Sequence, residues 1–358
     1  MVSCRNESAG SKRRQTMKAL IKDKPVRGAT LTDRPIPKIG DNDLLVKVRA
    51  AAVCGTDIHI YQWNEYASSR IKLPLLFGHE YAADVVEVGK NAGHFKKGDR
   101  VAAETHIPCG HCFQCTTGLQ HICRDMQIIG VHTDGAFSEY SVLPAVCAWK
   151  LDPGISYEIG STMEPFGIGV HAVSKTKPAG KKVVVYGCGP IGIYAQMVAK
   201  FSGAECVIGV DVAKERLSLA KQMGTDVVLN PKEVSVVDEV NKITKGFGAD
   251  IVIELTGNKN VVNDASKCLR RGGDMVLVGL YSGSVEWDLV NNVIYKEANV
   301  FGVTGRIMWD SWWTAQGILL SGKVDVTPVI THTFGLDDYD RAIQMAESAS
   351  GGKVVFKI

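Results

Sequence analysis

Short β-rich runs punctuated by Gly, Asp, Asn and Pro, such as LLVKV at 44–48 and YAADVVEV at 81–88, fill the chain from residue 17 to about 150. That rhythm predicts strands joined by turns, and so a mainly β, barrel-like unit. From about 168 to 307 the rhythm changes. Continuous apolar runs (VVVY at 183–186, CVIGVD at 206–211, DVVLN at 226–230, DIVIEL at 250–255, DMVLVGL at 274–280) alternate with helical stretches such as AKERLSLAKQM at 213–223, which Gly224 ends. Strands covered on both faces lose polar alternation, so this part predicts an α/β unit with a doubly wound parallel sheet. The chain then continues with a helix-like MWDSWWTAQGILLSG at 308–322, the run DDYDRAIQMAES at 337–348 and the strand-like KVVFKI at 353–358.

The run at 183–186 leads into a glycine-rich turn. Gly187, Gly189 and Gly192 stand in G-x-G-x-x-G register around Pro190 and Ile191, and Ile191, Tyr194, Ala195 and Val198 recur at helical spacing up to a stop at Gly203. Asp211 closes the next strand. The glycines permit a tight turn and close packing, N–H groups at the helix start hold a pyrophosphate, and the carboxylate accepts hydrogen bonds from two ribose hydroxyls. A glycine turn alone is a weak signal, because such turns also arise wherever backbones pack closely. Strand before, helix after and acid behind make this one a dinucleotide-binding Rossmann unit. Asp211 would repel a 2′-phosphate, which favours NAD over NADP; Arg216, one turn into the next helix, is the residue that could soften that preference.

Composition narrows the classes. A chain of 358 residues predicts two domains, and 41 basic against 38 acidic side chains, interspersed, leave a net charge of +3. No basic stripe points to nucleic acid or to an anionic membrane. The longest uncharged run, 183–199, is broken by three glycines and a proline and is no membrane span. Residues 1–16 carry Lys12, Arg13 and Arg14 without the apolar stretch of a signal peptide, and read as an N-terminal tail ahead of Met17; Glu7 and the lack of an amphipathic pattern count against an organelle-targeting peptide. The expected location is the cytoplasm.

Ten cysteines, four of them crowded between 109 and 123, point to metal rather than to disulfides. Cys109, Cys112, Cys115 and Cys123 have C-x₂-C-x₂-C-x₇-C spacing within 108–123. Three thiolates two residues apart can wrap an ion while a fourth returns from a loop to close a tetrahedron, as in a structural zinc lobe. A ferredoxin-type cluster would place its fourth cysteine closer and before proline, and a DNA-binding zinc module would be more basic. Four sulfur ligands leave no open position for chemistry. Cys188, Cys206 and Cys268 read as small buried hydrophobes.

A different set lies outside the lobe. Cys54 in VCGTDIHIY, the pair His79-Glu80 in FGHEY and Glu164 in MEPFG offer the thiolate, imidazole and carboxylate mixture of a catalytic zinc with one position open. Taken singly, each has an ordinary reading as a buried cysteine, a satisfied histidine or a surface carboxylate.

The ordered set Cys54-Gly55-Thr56-Asp57-Ile58-His59, Gly78-His79-Glu80, the cysteine lobe, Glu164 and G-C-G-P-I-G resembles the zinc-dependent medium-chain alcohol and polyol dehydrogenases over nearly everything after Met17. GTDIHIYQW, THIPCGHC, MEPFG and GVTGR followed by tryptophans are most similar to the branch that oxidises L-threonine. The resemblance implies a GroES-like catalytic domain made of 17–167 and 308–358, with the dinucleotide-binding domain, 168–307, inserted between. It implies a catalytic zinc on Cys54 and His79, completed by Glu80 or Glu164; Thr56 and His59 as a proton relay; and His106 beside the substrate. Val278, Gly279, Leu280, Val303 and Thr304 match positions near the nicotinamide, and Arg306 is a weaker candidate for a substrate carboxylate. NAD-dependent oxidation of L-threonine is the implied activity, with a polyol or diol as the rival substrate and a non-enzymatic dinucleotide-binding protein as the remote alternative. A homotetramer is the implied assembly. Trp309, Trp312 and Trp313 read as core or subunit contact rather than substrate binders.

Overall fold

The structure, a computed structural model, describes residues 16–348 and 351–358, so all but the last residue of the expected 1–16 tail lies outside the described residues. A six-stranded parallel sheet runs in the order Val227–Leu229, Cys206–Val210, Lys182–Tyr186, Ala249–Glu254, Leu269–Leu277, Asn299–Gly302. The strand that leads into the glycine turn pairs in parallel with Cys206–Val210 on one side and Ala249–Glu254 on the other. The strand order therefore reverses there, and a crevice opens beyond the strands' C-terminal ends. Val184, Val252 and Ile208 are fully buried, as continuous apolar runs require.

A second, mixed sheet is built around the ten-residue strand Asp43–Ala52. It pairs antiparallel with Glu80–Val88 and Tyr140–Pro144, and also with Lys353–Lys357 from the end of the chain. Thr16–Lys22, Thr30–Pro35 and Leu75–Leu76 form a small third sheet. The unit is mainly β, but two short helices, Gly55–Gln62 and Glu65–Arg70, follow Cys54 directly. Asn64 accepts from Ala67 N at 3.4 Å and so caps the second of them.

The helix Asp310–Leu320 packs across the seam between the sheets. Trp312, Ala315 and Ile318 share one buried cluster with Ala82 and Trp149 of the mixed-sheet unit and with Val183 and Ile193 of the parallel-sheet unit. Trp312 is 1% exposed whereas Trp313 is 67% exposed, so only the first belongs to the core. Among the described residues no helix is long and apolar enough to cross a membrane.

Candidate active site

Strand register assembles the first cluster. Ala52 faces Glu80 across one ladder and Val355 across the other. The chain leaving Ala52 therefore brings Cys54 beside both Glu80 and Lys353. Gly78, at φ +92°, turns the chain so that His79 enters the same space; a Cβ there would collide with the Phe137 ring. Cys54 Sγ, a His79 ring nitrogen and a Glu80 oxygen all lie within 4.8 Å of one another. With metal–ligand bonds of ~2.0–2.3 Å, one zinc ion can span such a set.

The surroundings fit a metal. His79 Nδ1 faces Asp57 Oδ1 at 3.6 Å, and both atoms are buried without a hydrogen-bond partner. Asp57 Oδ2 accepts from Cys54 N at 2.9 Å. At 3.6 Å the carboxylate does not hydrogen-bond the ring, but its charge favours a proton on Nδ1 and so leaves the other nitrogen for an ion.

Glu164 lies outside that trio. In the first turn of the helix Met163–Ser174, its Oε1 accepts from Arg306 Nη1 at 2.7 Å. Its charge still reaches His79 and Glu80. Arg306 is 1% exposed: Nε donates to Glu104 Oε2 at 2.8 Å, and Nη2 donates to Glu104 Oε1. This corrects the expectation that Arg306 could meet a substrate carboxylate, because a guanidinium sealed between two carboxylates is already paired.

Glu104 also accepts from Trp312 Nε1 at 2.8 Å and from His106 N at 2.9 Å, and His106 Nδ1 lies 3.0 Å from its Oε1. Burial alone would raise the Glu104 carboxyl, but the Arg306 guanidinium and the hydrogen bonds from His106 and Arg306 hold it at about 2. His106 is thereby fixed beside Gly305, where a Cβ would strike its ring.

Thr56 and His59 share the helix Gly55–Gln62. His59 is exposed, its Nδ1 is 2.6 Å from Asn64 Nδ2, and its ring lies 5.5 Å from that of Tyr66. Partial burial pulls its pKa down.

On the parallel-sheet side, a cavity of about 790 Å³ is lined by Gly187, Gly189, Pro190, Ile191, Asp211 and Arg216, among others. The turn is closed so tightly that a Cβ on Gly192 would overlap Gly187 O. Asp211 caps the loop, accepting from Cys188 N at 2.8 Å and Ala213 N at 2.9 Å, with Arg216 Nη1 4.0 Å away. A narrower cleft of about 190 Å³ is lined by Cys54, Glu80 and Lys353 from one side and by Pro190, Ile191 and Arg216 from the other. Val278, Gly279, Leu280, Val303 and Thr304 do not line either space. The first three lie just past the end of the strand Leu269–Leu277; Leu280 is 84% exposed and Val303 is buried.

The lobe sulfurs sit 3.5 Å (Cys112–Cys115), 3.8 Å (Cys112–Cys123) and 3.9 Å (Cys109–Cys115) apart. A tetrahedron with Zn–S bonds of ~2.3 Å has edges of about 3.8 Å, so the four fit a closed zinc site. Backbone N–H groups of Cys109 and Cys112 point at Cys123 and Cys109 sulfurs, at 3.2 and 3.4 Å.

Sequence reasoning did not single out Glu104, Lys353, Asn64 or Tyr66. Asp57 carried one usable signal, its place three residues after Cys54 at a helix start. Glu104 and Lys353 carried none, being lone charges in β-rich runs.

Residues 40–153 match the alcohol dehydrogenase GroES-like domain and residues 190–315 the zinc-binding dehydrogenase domain. An L-threonine 3-dehydrogenase of Caldanaerobacter subterraneus subsp. tengcongensis is 43% identical over 340 residues, covering 95% of this chain and 98% of that one. Another, from Pyrococcus abyssi, is 43% identical over 345 residues, 96% and 99% of the two chains. The crystal structure of 2R,3R-butanediol dehydrogenase from Bacillus subtilis superposes with a TM-score of 0.86 at 27% identity, covering 96% of this chain and 99% of that one. Full-length kinship of this kind, on a Rossmann sheet joined to a GroES-like unit, establishes that the chain belongs to the zinc-dependent medium-chain dehydrogenase family.

Proposed function

We propose that this protein oxidises the C3 hydroxyl of L-threonine, with NAD⁺ as hydride acceptor, giving 2-amino-3-oxobutanoate, NADH and a proton. The observation that carries the reading is the cleft that joins the dinucleotide cavity to the Cys54–His79–Glu80 cluster through shared Pro190, Ile191 and Arg216. A dinucleotide seated with its pyrophosphate at the helix Pro190–Phe201 has room to extend toward those metal-binding side chains. The choice of threonine rests on the relatives that carry that activity along nearly their whole length.

When bound, zinc would supply Lewis acidity to the alcohol oxygen, and the nicotinamide would take the hydride. The chain supplies the rest. Thr56 Oγ1 takes up the hydroxyl proton as it gives up its own, and exposed His59 on the same helix passes that proton to solvent. Partial burial lowers its pKa, which favours giving the proton up. His106, locked by Glu104, is left with Nε2 to meet the polar groups of the amino acid. Glu164 places negative charge near a substrate ammonium while Arg306 fixes its direction. Cys54, His79 and Glu80 hold the catalytic ion; Cys109, Cys112, Cys115 and Cys123 hold a structural one.

The same reading divides the chain into a catalytic domain, 17–167 with 308–358, and a dinucleotide domain, 168–307, and takes the assembly as a cytoplasmic homotetramer. Exposed Leu280, Ile294 and Tyr295 near the edge strand Asn299–Gly302 support a subunit contact. Likeness to the butanediol enzyme favours a small diol as the second reading. NADH absorbance with equal concentrations of threonine, serine, sorbitol and 2,3-butanediol tests the substrate: threonine is expected to be fastest, and sorbitol winning by a wide margin would overturn it.

A further inference from the structure

Two anchors flank the short segment that leads to Arg306. Val303 N donates to Leu277 O at 2.9 Å, and Arg306 is held through its side chain by Glu104 and Glu164. Between them lies Gly305, at φ +57° and packed on His106. A glycine backbone has the widest choice of conformations, so keeping this peptide in one of them requires a further hold. That hold is His171, which the mechanism above does not use: its Nδ1 lies 3.0 Å from Gly305 O. We propose that His171 is a positioning residue, whose Nδ1–H pins the Gly305 carbonyl and so keeps His106 in the arrangement that prefers an amino-acid substrate to a plain diol. The proposal deepens the reading that His106 meets the amino acid and rests on it.

Three observations carry it. The first is chemical. A carbonyl can only accept, so Nδ1 carries the ring proton; burial holds the His171 pKa at about 4, and the ring is neutral at pH 7. His171 is 2% exposed, and its Nε2 is buried without a hydrogen-bond partner. An unpaired buried acceptor lowers stability, and phenylalanine would fill the same space without it, so what histidine adds here is the bond to Gly305. The second is placement. Glu164, Gly167 and His171 share one face of the helix Met163–Ser174. Glu164 accepts from Arg306 Nη1 at 2.7 Å, and a Cβ on Gly167 would press on Arg306 Cδ at 3.3 Å. One helix face therefore runs along residues 305 and 306. The third is closure on both sides. A Cβ on Gly305 would come within 2.8 Å of His106 Cε1. The His171 ring also meets His121 of the cysteine lobe edge-on, with centroids 5.3 Å apart and planes at 88°. With its ring confined there, His171 fixes the carbonyl, and the carbonyl fixes the wall on which His106 rests.

The test uses full-length, zinc-loaded protein and separates a lost donor from a lost ring. His171→Phe keeps the ring and drops the donor, whereas His171→Asn sets an amide NH₂ close to the place of Nδ1. Steady-state kinetics with threonine and with 2,3-butanediol are compared, with zinc per chain and NAD Kd reporting folding. His171→Phe is expected to raise the KM for threonine by about five- to tenfold, the scale of one neutral hydrogen bond, while kcat and the diol's kcat/KM stay within about twofold. NAD Kd should not move, because the glycine turn and Asp211 lie elsewhere. His171→Asn should recover most of the threonine KM. In a His106→Ala background, His171→Phe should leave the threonine-to-diol ratio unchanged, since the two residues act as one unit.

Equal losses for both substrates, no recovery in His171→Asn, or a change in the ratio that persists without His106 overturns the proposal. His171→Leu replaces the phenylalanine variant if that one does not hold two zinc ions; failure of both to fold makes His171 a strut and also overturns it. His106→Ala alone is the control for the underlying reading. If it lowers threonine and diol turnover equally, the role of His106 has failed; if it is selective for threonine and His171→Phe is not, only the role of His171 has failed.

Discussion

Glu104→Gln removes one charge and keeps the side chain's shape, which isolates what the buried carboxylate does. Oε1 receives Arg306 Nη2 and His106 N, and Oε2 receives Arg306 Nε and Trp312 Nε1. Whichever way the new amide turns, its NH₂ group faces two donors, one of them on a buried guanidinium. Breaking a buried pair from one side costs about 3–5 kcal/mol. Glu164 still holds Nη1 of Arg306 at 2.7 Å, so the lower end, about 3 kcal/mol, is expected here. For a cooperative unit of the catalytic half's size that lowers the Tm by about 6–12 °C at neutral pH. The pH dependence supplies a second reading. A carboxyl held at about 2 against an ordinary 4.5 contributes stability that is fully present above 4.5 and lost as pH falls through its folded value. Wild type and variant should therefore differ most above that window and converge as pH drops toward 2. A Tm within about 2 °C of wild type at pH 7 would refute the ion-pair argument.

Other perturbations separate the remaining parts. Cys54→Ser should lose one zinc per chain and all turnover while still binding NAD, whereas Cys112→Ser should lose the other zinc and melt earlier; full activity in Cys54→Ser would remove it from the metal site. Asp211→Asn should raise the NAD Kd about tenfold, the size of a lost charged hydrogen bond, and narrow the gap to NADP; calorimetric titration of both dinucleotides reads this, and a wild type that already prefers NADP would show that Asp211 is not at the ribose. His106→Ala should lower kcat/KM for threonine more than for 2,3-butanediol, and equal losses would place it away from the amino-acid groups.

How much of this could be read from the chain depends on the range of the cause. The parallel sheet shows itself locally, because strands such as Val183–Val185 must be apolar on both faces, and the glycine turn is confined to a few residues. The helices after Cys54 were hidden in a β-rich setting: GTDIHIYQ carries three β-branched residues and no apolar stripe. His79 and Glu80 were visible because they are adjacent. Nothing local shows that Arg306, 142 residues away, holds Glu164 outside the Cys54–His79–Glu80 trio. Lys353 and Glu80, 273 residues apart, meet through two ladders whose register no local pattern reveals.

Burial of a lysine is not by itself a mark of function, and this chain holds its own counterexample. Lys22 is as buried as Lys353, but its ammonium donates to carbonyls of Val26, Gly28 (2.7 Å) and Tyr61 (3.0 Å), tying a loop to the helix Gly55–Gln62. Those acceptors are neutral and fixed in backbone, so replacing Lys22 would loosen that loop without touching the donors of the metal site. Lys353 spends its charge on a side-chain carboxylate that has a second use, and the same holds for Arg306 with Glu104 and Glu164. What distinguishes Lys353 and Arg306 from Lys22 is that their partners include side-chain carboxylates beside the Cys54–His79 pair and His106. Charge placed on such a partner changes what the acid can bind, whereas charge placed on a carbonyl only fixes a fold.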